Sequence, residues 1–215
     1  MSNTHLDRAK ILTEALPYIQ TLSGKTVVIK YGGNAMVDEE LTTKILQDVT
    51  LLKYVGVNPI LVHGGGPDIN AALAKMGVES KFHNGLRITD KATMEVVQMV
   101  LAGKVNKTLV NLLEMKGGKA MGISGMDGRL IEAKVKNEKL GYVGTITQIH
   151  ITPVIDLLEK GYIPVVSTVG CDAQGNTYNI NGDTAAAWIA GALKAERLIM
   201  MTDIAGILRD KNDPA

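Results

Sequence analysis

Lys30 closes a run of β-branched residues, and two residues later the chain gives up its side chains at Gly32 and Gly33 (VVIKYGGNAM). A second apolar run ends at His63 and is followed by Gly64, Gly65 and Gly66 (ILVHGGGPDIN). Packing alone offers no reason to end a buried strand on a charge and then remove side chains. A phosphate offers a reason for both. Glycine lets backbone N–H groups approach phosphate oxygens, and the start of a following helix adds the positive end of its dipole. Lysine supplies a mobile point charge. Neither loop has GxxxxGK(S/T) or GxGxxG spacing. Taken singly, each is equally an ordinary tight turn. Together with a lysine at the end of the first strand they favour a phosphate site.

Arg87 sits in NGLRIT beside a turn. A guanidinium there either clamps a carboxylate through two parallel hydrogen bonds or lies solvated on a hairpin. Asn179, Asn181 and Asp183 (NINGD) stand just before a helical segment. They read as helix caps, or else Asp183 positions lysines around a transferring phosphate. Asp203 ends a strand-like run in MTDIAG, at the edge of a parallel sheet where ligands bind. His63 has no second His or Cys spaced to form a metal site with it, and His5, His83 and His150 look incidental. No GxSxG, HExxH or CxxC motif is present, so hydrolase and zinc readings lack support.

The elements that must position these residues alternate. Residues 5–20 form an amphipathic helix with Ile11, Leu12, Ala15, Leu16 and Ile19 on one face; Pro17 is expected to bend or interrupt it. Strand 26–31, helix 38–55 with Gly56 as its C-cap candidate, strand 59–62 and a helix to Met76 give the rhythm of a parallel sheet with helices on its faces. Residues 79–89 predict a hairpin turning at Asn84-Gly85. Residues 90–115 predict a helix bent near Gly103, and GGKAMGISG a strand. A second hairpin region spans 130–136 and 142–150. A helix over 152–160 is expected to be capped by Thr152 with Pro153 at its first position. Strand 162–168, a helix opening at Asn181 and a buried strand RLIMMTD follow.

The 215 residues, 46% of them hydrophobic with formal net charge +1, suit one globular unit or two small lobes, with a lobe boundary near 168–175. The balance of charge leaves no footprint for a nucleic-acid binder. Cys171 is the only cysteine, so no internal disulfide forms, which fits a reducing cytoplasm. No apolar run approaches the ~18 residues a membrane helix needs. The first residues, MSNTHLDRAK, lack the apolar core of a signal peptide.

The motifs VVIKYGGNAM, ILVHGGGPDIN, NGLRITD, GISGMDG, NINGDTAAAWIAGAL and LIMMTDIAGIL occur in this order over nearly the whole chain. With them the chain resembles the branch of the amino acid kinase family that phosphorylates N-acetyl-L-glutamate. KYGGNAM with GLRIT separates that branch from the aspartokinase, glutamate 5-kinase, carbamate kinase and UMP kinase branches. The resemblance implies an open αβα sandwich with a mainly parallel central sheet. It implies an N-terminal helix over 1–24, an amino-acid lobe over 25–170 and the start of an ATP-binding lobe over 171–215. It also implies ATP-dependent phosphorylation of a side-chain carboxylate in arginine biosynthesis, with Mg2+ carried by the nucleotide and no protein ligand to the metal.

By the same resemblance, Lys30 meets the transferring phosphate, and Gly32, Gly33, Gly65 and Gly66 form the backbone cradle. Arg87 clamps the substrate α-carboxylate, and Asn179 touches the substrate. Asp183 orients the catalytic lysines, and Asp203 belongs to the nucleotide-side wall. Members of the family continue well past LRDKNDPA, into most of the adenine pocket and a second phosphate-binding lysine, so the nucleotide lobe is expected to be truncated and the chain's activity impaired. Position 126, often Lys in the family, is Met126. The N-terminal helix resembles the extension of arginine-inhibited members, which interlace such helices to form hexamers; a helix packed on its own core is the alternative. Dimer or hexamer, with L-arginine as feedback inhibitor, is the assembly implied. A glutamate side-chain carboxylate, with a reference pKa of about 4.3, is already ionised at neutral pH and needs no general base. Its difficulty is approaching another anion, so the site must neutralise and align phosphate.

Overall fold

The computed structural model describes residues 5–36 and 38–201. Helix α1 (His5–Leu22) leads into β1 (Thr26–Tyr31), a single 3-10 turn (Gly33–Met36) and α2 (Glu39–Tyr54). Asp38 starts α2 by accepting from the Leu41 N–H at 2.9 Å. Next come β2 (Asn58–His63), α3 (Gly66–Lys75) and a short hairpin, β3 (Phe82–His83) and β4 (Leu86–Arg87). A long helical rod follows in three parts: α4 (Lys91–Gln98), a wide π-helical turn (Met99–Val105) and α5 (Asn106–Met115). The chain continues through β5 (Ala120–Ser124), β6 (Ile131–Val135), β7 (Gly144–Ile149), α6 (Thr152–Glu159) and β8 (Ile163–Ser167). It then forms β9 (Val169–Cys171), β10 (Thr177–Asn179), α7 (Gly182–Ala192) and β11 (Arg197–Met200).

Five strands form one parallel sheet in the order β11-β1-β2-β8-β5. Side chains alternate across a strand, and β1 divides accordingly. Val27, Ile29 and Tyr31 enter a core with Leu46, Leu73, Leu101 and Leu113 of the α2–α5 layer. Val28 enters the opposite core with Val154 of α6 and Ala185 and Ile189 of α7. This is the expected αβα sandwich. A second, four-stranded sheet, β10-β9-β6-β7, contains the expected hairpin of β6 and β7, with a register shift at Glu132/Ala133. The Asn84-Gly85 turn is present with φ of 48° and 75°.

Four expectations change. Pro17 does not interrupt α1, which runs unbroken over its 18 residues. The helix is exposed, so water can satisfy the carbonyl that proline leaves unpaired. None of its residues is fully buried, and of its apolar residues Leu22, at its end, packs against the core. Helix α6 begins at Thr152 with Ile151 in the cap position and no side-chain cap, because Pro153 already presets its first turn. Strand β11, expected to be buried, is exposed along its length; among the described strands it pairs only with β1, at the sheet's edge. The bend expected near Gly103 takes the form of the π-helical turn.

His63, the last residue of β2, is fully buried. Burial penalises its charged form and pushes its pKa down to about 4, despite a hydrogen bond to the Gly64 carbonyl that works the other way. An unfolded His63 titrates near its ordinary 6.5. Between pH 6.5 and 4 the unfolded chain therefore binds a proton that the folded chain refuses, and stability falls as pH falls. At ~1.4 kcal/mol per tenfold change in proton affinity, the loss across that window is on the order of 3 kcal/mol. Urea titrations between pH 4 and 7 should show this slope in the wild type and a shallower one in His63→Asn. Equal slopes would mean that His63 is not held neutral by the fold.

Candidate functional site

The carboxyl ends of parallel strands and the N-termini of the helices that follow them converge on one edge of the sheet. There a cavity of about 190 Å³ is lined by residues that include Gly65, Gly66, Arg87, Thr168, Asn179 and Gly182. Helix α3 begins at Gly66 and α7 at Gly182, so two helix N-termini border it. The Gly65 and Gly66 N–H groups donate to no protein acceptor among the described residues, and Pro67 has no N–H to offer. The loop thus presents backbone donors without partners, the arrangement that suits an anion.

Lys30 and Asp183 meet at this edge, with Nζ and Oδ1 3.0 Å apart. The lysine side chain is 15% exposed and the aspartate 57%, so the cation is the better shielded of the two. Gly32 makes room for it, while Gly182 stands at ordinary contact distance. A Cβ on Gly32 would lie 3.2 Å from Lys30 Cε, and one on Gly182 would lie 3.8 Å from the same atom. Lys30, Gly32, Gly64, Gly182 and Asp183 are therefore neighbours, although they come from three separate elements and loops. Lys30, Gly32 and Asp183 stand beside the cavity rather than in its wall. Gly33 is also outside the wall; it is exposed and opens the 3-10 turn with φ +68°. Asp203 lies outside the described residues.

Arg87 is 7% exposed. Its Nη1 donates to Ser80 Oγ at 2.8 Å and its Nη2 to the Gly66 carbonyl at 3.3 Å. Its guanidinium stacks over the Phe82 ring, 4.7 Å from the centroid. Burial lowers its pKa from the ordinary arginine value. Among the described residues it pairs with no carboxylate, which leaves a buried cation and spare donors beside the cavity. The solvated-hairpin alternative is thereby excluded. Ser80 in turn donates to Asn70 Oδ1 at 3.1 Å, which fixes the hydroxyl that receives Arg87.

The NINGD segment separates into different tasks. Asn181 caps α7, accepting from the Thr184 N–H at 2.9 Å. Asn179 instead lines the cavity and donates to Thr89 Oγ at 3.3 Å. Asp183 turns to Lys30. A larger hollow of about 470 Å³ lies between α2 and α5, but its cation, Lys104, already pairs with Asp68 at 2.6 Å. Among the described residues no group of three or more His, Cys, Asp or Glu side chains stands close enough to hold a metal ion, and no helix is long and apolar enough to cross a membrane.

Several residues of this region have no obvious sequence signal. Ser80 and Phe82 become visible only once Arg87 folds back over them. Asn106 lies within an apolar helical segment, and a buried polar residue there asks for partners. It donates to His63, whose position at the end of an apolar strand was the companion signal.

The profile of the amino acid kinase family matches residues 25–215. An acetylglutamate kinase of Caldicellulosiruptor bescii is 59% identical over 96% of this chain and 73% of its own length. Among solved structures, smu.665 from Streptococcus mutans is 32% identical with a TM-score of 0.78, over 85% of this chain and 74% of that one. The N-acetylglutamate synthase of Neisseria gonorrhoeae, solved with coenzyme A and N-acetyl-glutamate, is 25% identical with a TM-score of 0.81, over 94% of this chain and 47% of that one. By its fold, its ordered motifs and its relatives, the chain belongs to the amino acid kinase family, in the acetylglutamate kinase branch.

Proposed function

We propose that the chain transfers the γ-phosphoryl group of ATP to the side-chain carboxylate of N-acetyl-L-glutamate, giving N-acetyl-L-glutamyl 5-phosphate for arginine biosynthesis. The observation that carries this reading is Arg87, a buried cation that pairs with no carboxylate among the described residues, beside glycine amides that meet no acceptor among them. One cavity wall thus offers a place for a carboxylate and a place for phosphate oxygens. In this reading Arg87 holds the α-carboxylate and Asn179 contacts the substrate. The Gly65 and Gly66 N–H groups meet the γ-phosphoryl oxygens. Lys30 reaches the same oxygens, and Asp183 keeps its ammonium aimed. Gly32 keeps space open beside that ammonium.

The chemistry asks little else of the protein. The ionised side-chain carboxylate attacks phosphorus, the new P–O bond forms as the bond to the leaving ADP oxygen breaks, and no proton moves. Catalysis is then positioning and neutralisation of charge. A Mg2+ ion arriving with ATP supplies further neutralisation.

A second reading, binding or regulation without catalysis, draws on the likeness to a synthase rather than a kinase, since one fold hosts several activities. The Lys30–Asp183 pair favours the kinase. The discriminating experiment measures ADP release with N-acetylglutamate, free glutamate and aspartate. The kinase reading expects turnover with N-acetylglutamate well above the others; binding of N-acetylglutamate with no ADP release in its presence would establish the second reading.

Lys30→Ala should lower kcat on the order of 10²–10³-fold with a smaller change in KM, the loss typical of one preorganised charge donor. Near-normal kcat would remove Lys30 from the mechanism. Arg87→Ala should cost N-acetylglutamate binding roughly 2–5 kcal/mol by calorimetry, because it truncates one side of a desolvated charge pair. ATP affinity should hold; the reverse pattern would overturn the assignment. Helix α1, with Leu6 and Leu12 83% and 72% exposed, is the element we assign to self-association. Leu12→Asp should reduce the mass seen in sedimentation, and an unchanged mass would take α1 out of the assembly.

A further inference from the structure

His63 lies outside the cavity wall, yet it touches the loop that forms that wall. Its Nδ1 is 2.8 Å from the Gly64 carbonyl oxygen. A carbonyl only accepts, so Nδ1 carries the hydrogen. The other ring nitrogen, Nε2, is 3.1 Å from Asn106 Nδ2. The Asn106 amide has only one workable orientation. Its nitrogen faces the carbonyls of Val165 at 2.9 Å and Ile123 at 3.3 Å, and its oxygen faces Lys107 Nζ at 3.0 Å. Turned over, it would set oxygen against two oxygens and a nitrogen donor against an ammonium. Nε2 is therefore an acceptor, and the imidazole is the neutral Nδ1–H tautomer.

The consequence falls on one peptide group. In a trans peptide the C=O of Gly64 and the N–H of Gly65 point in opposite directions. A carbonyl drawn toward the buried imidazole sends the Gly65 N–H away from the core, on the side where Gly65 lines the cavity. A peptide between two glycines has little intrinsic preference for either orientation. Without an anchor it could turn over and present its oxygen to an incoming phosphate, which would repel it.

We propose that His63 is a positioning residue for phosphoryl transfer: its Nδ1–H holds the Gly64–Gly65 peptide so that the Gly65 N–H faces the transferring phosphate, and Asn106 fixes the tautomer that makes this possible. The inference rests on the kinase reading above for the identity of the anion. The depressed pKa of His63 agrees with it, since the ring stays neutral across the neutral range and the anchor does not change with pH there.

Two substitutions separate the ring's two nitrogens. Asparagine places an amide N–H near the Nδ1 position and can still serve Gly64. Glutamine reaches toward Asn106 and leaves the Gly64 carbonyl without its donor. His63→Gln should lose about 10²-fold in kcat, the scale of one misplaced oxyanion donor, with KM for N-acetylglutamate little changed. His63→Asn should recover most of that loss. A merely structural role predicts equal defects in both variants, or a defect that tracks thermal stability, and either result overturns the proposal.

Wild-type measurements keep the test independent of how the variants fold. Long-range ¹H–¹⁵N spectra of the imidazole should show Nδ1 protonated and Nε2 bare, and the opposite tautomer would overturn the proposal. The Gly65 amide should shift on addition of magnesium with a non-hydrolysable ATP analogue, and an unmoved Gly65 resonance in the bound state would also overturn it. If the wild type binds that analogue but turns over no N-acetylglutamate, the kinase reading fails for that substrate, while tautomer and amide shift still decide the role of His63.

Discussion

The ion pair between Lys30 and Asp183 is the contact on which the site's geometry turns. It joins the carboxyl end of β1 to the first turn of α7, 3.0 Å from nitrogen to oxygen. A lysine left alone at a sheet edge would sample many rotamers, because its four-carbon stem is flexible. Its stem is instead walled by backbone, with glycines at 32 and 182 so close that a Cβ on either would touch it. The aspartate is the more exposed partner. The pair is therefore poor as a source of stability, since a half-open ion pair contributes little. Its value lies in aim: one strand end and one helix start are held in register around a single positive charge.

That placement follows from the parallel sheet. β1, β2 and β8 end side by side, with Tyr31 opposite His63 and His63 opposite Ser167. Each strand hands its chain to a loop at the same edge, so residues far apart in sequence arrive at one edge of the sheet without any long excursion. The remaining wall comes from the small hairpin that carries Arg87. Its strands are two residues long and exposed at Phe82, too little to stand on their own. Thr89 ties it down, donating to the Arg87 carbonyl at 2.9 Å and accepting from Asn179 at 3.3 Å. Arg87 is thus joined by hydrogen bonds to the segment that leads into Asp183.

Lys30 and the two glycine loops were legible in the sequence because each breaks the pattern of its surroundings: a charge at the end of an apolar run, or missing side chains where a strand ends. Arg87 was not, since an arginine beside a turn reads equally as a solvated hairpin residue, and only the resemblance singled it out. The NINGD cluster stood out as polar residues before a helix, but their types alone left caps and charge partners indistinguishable. Caps and ion-pair partners use the same short polar side chains, and only the turn-by-turn facing of α7 assigns Asn181 to one and Asp183 to the other. The apolar stripe of α1 was visible, whereas its exposure over most of its length was not, since periodicity states that a face is apolar and not what covers it. The same limit explains β11, whose apolar residues read as buried although the strand is exposed and, among the described strands, stands at the end of the sheet order. The His63–Asn106 contact spans 43 positions, and no local signal joins residues at that distance.

The π-helical turn explains why this distant contact and the glycine loop belong together. Residues 99–105 widen the helix for one turn before α5 resumes at Asn106. The wide turn puts Leu101 and Val105 against Gly65, where a Cβ would lie 2.6 Å from Leu101 Cδ2 and 3.3 Å from Val105 Cγ2. The next residue, Asn106, enters beneath the ends of β2, β8 and β5 and reaches His63. One irregular stretch of helix therefore backs the loop twice, by close packing behind Gly65 and by the hydrogen-bonded anchor on Gly64. A loop rich in glycine is otherwise costly to order, since glycine loses the most conformational freedom on folding. Here that ordering is completed during folding, by apolar contacts and buried hydrogen bonds that no ligand need supply. Donors fixed in advance do not have to reorganise when charge moves, which is the condition under which backbone N–H groups stabilise a transferring anion most effectively.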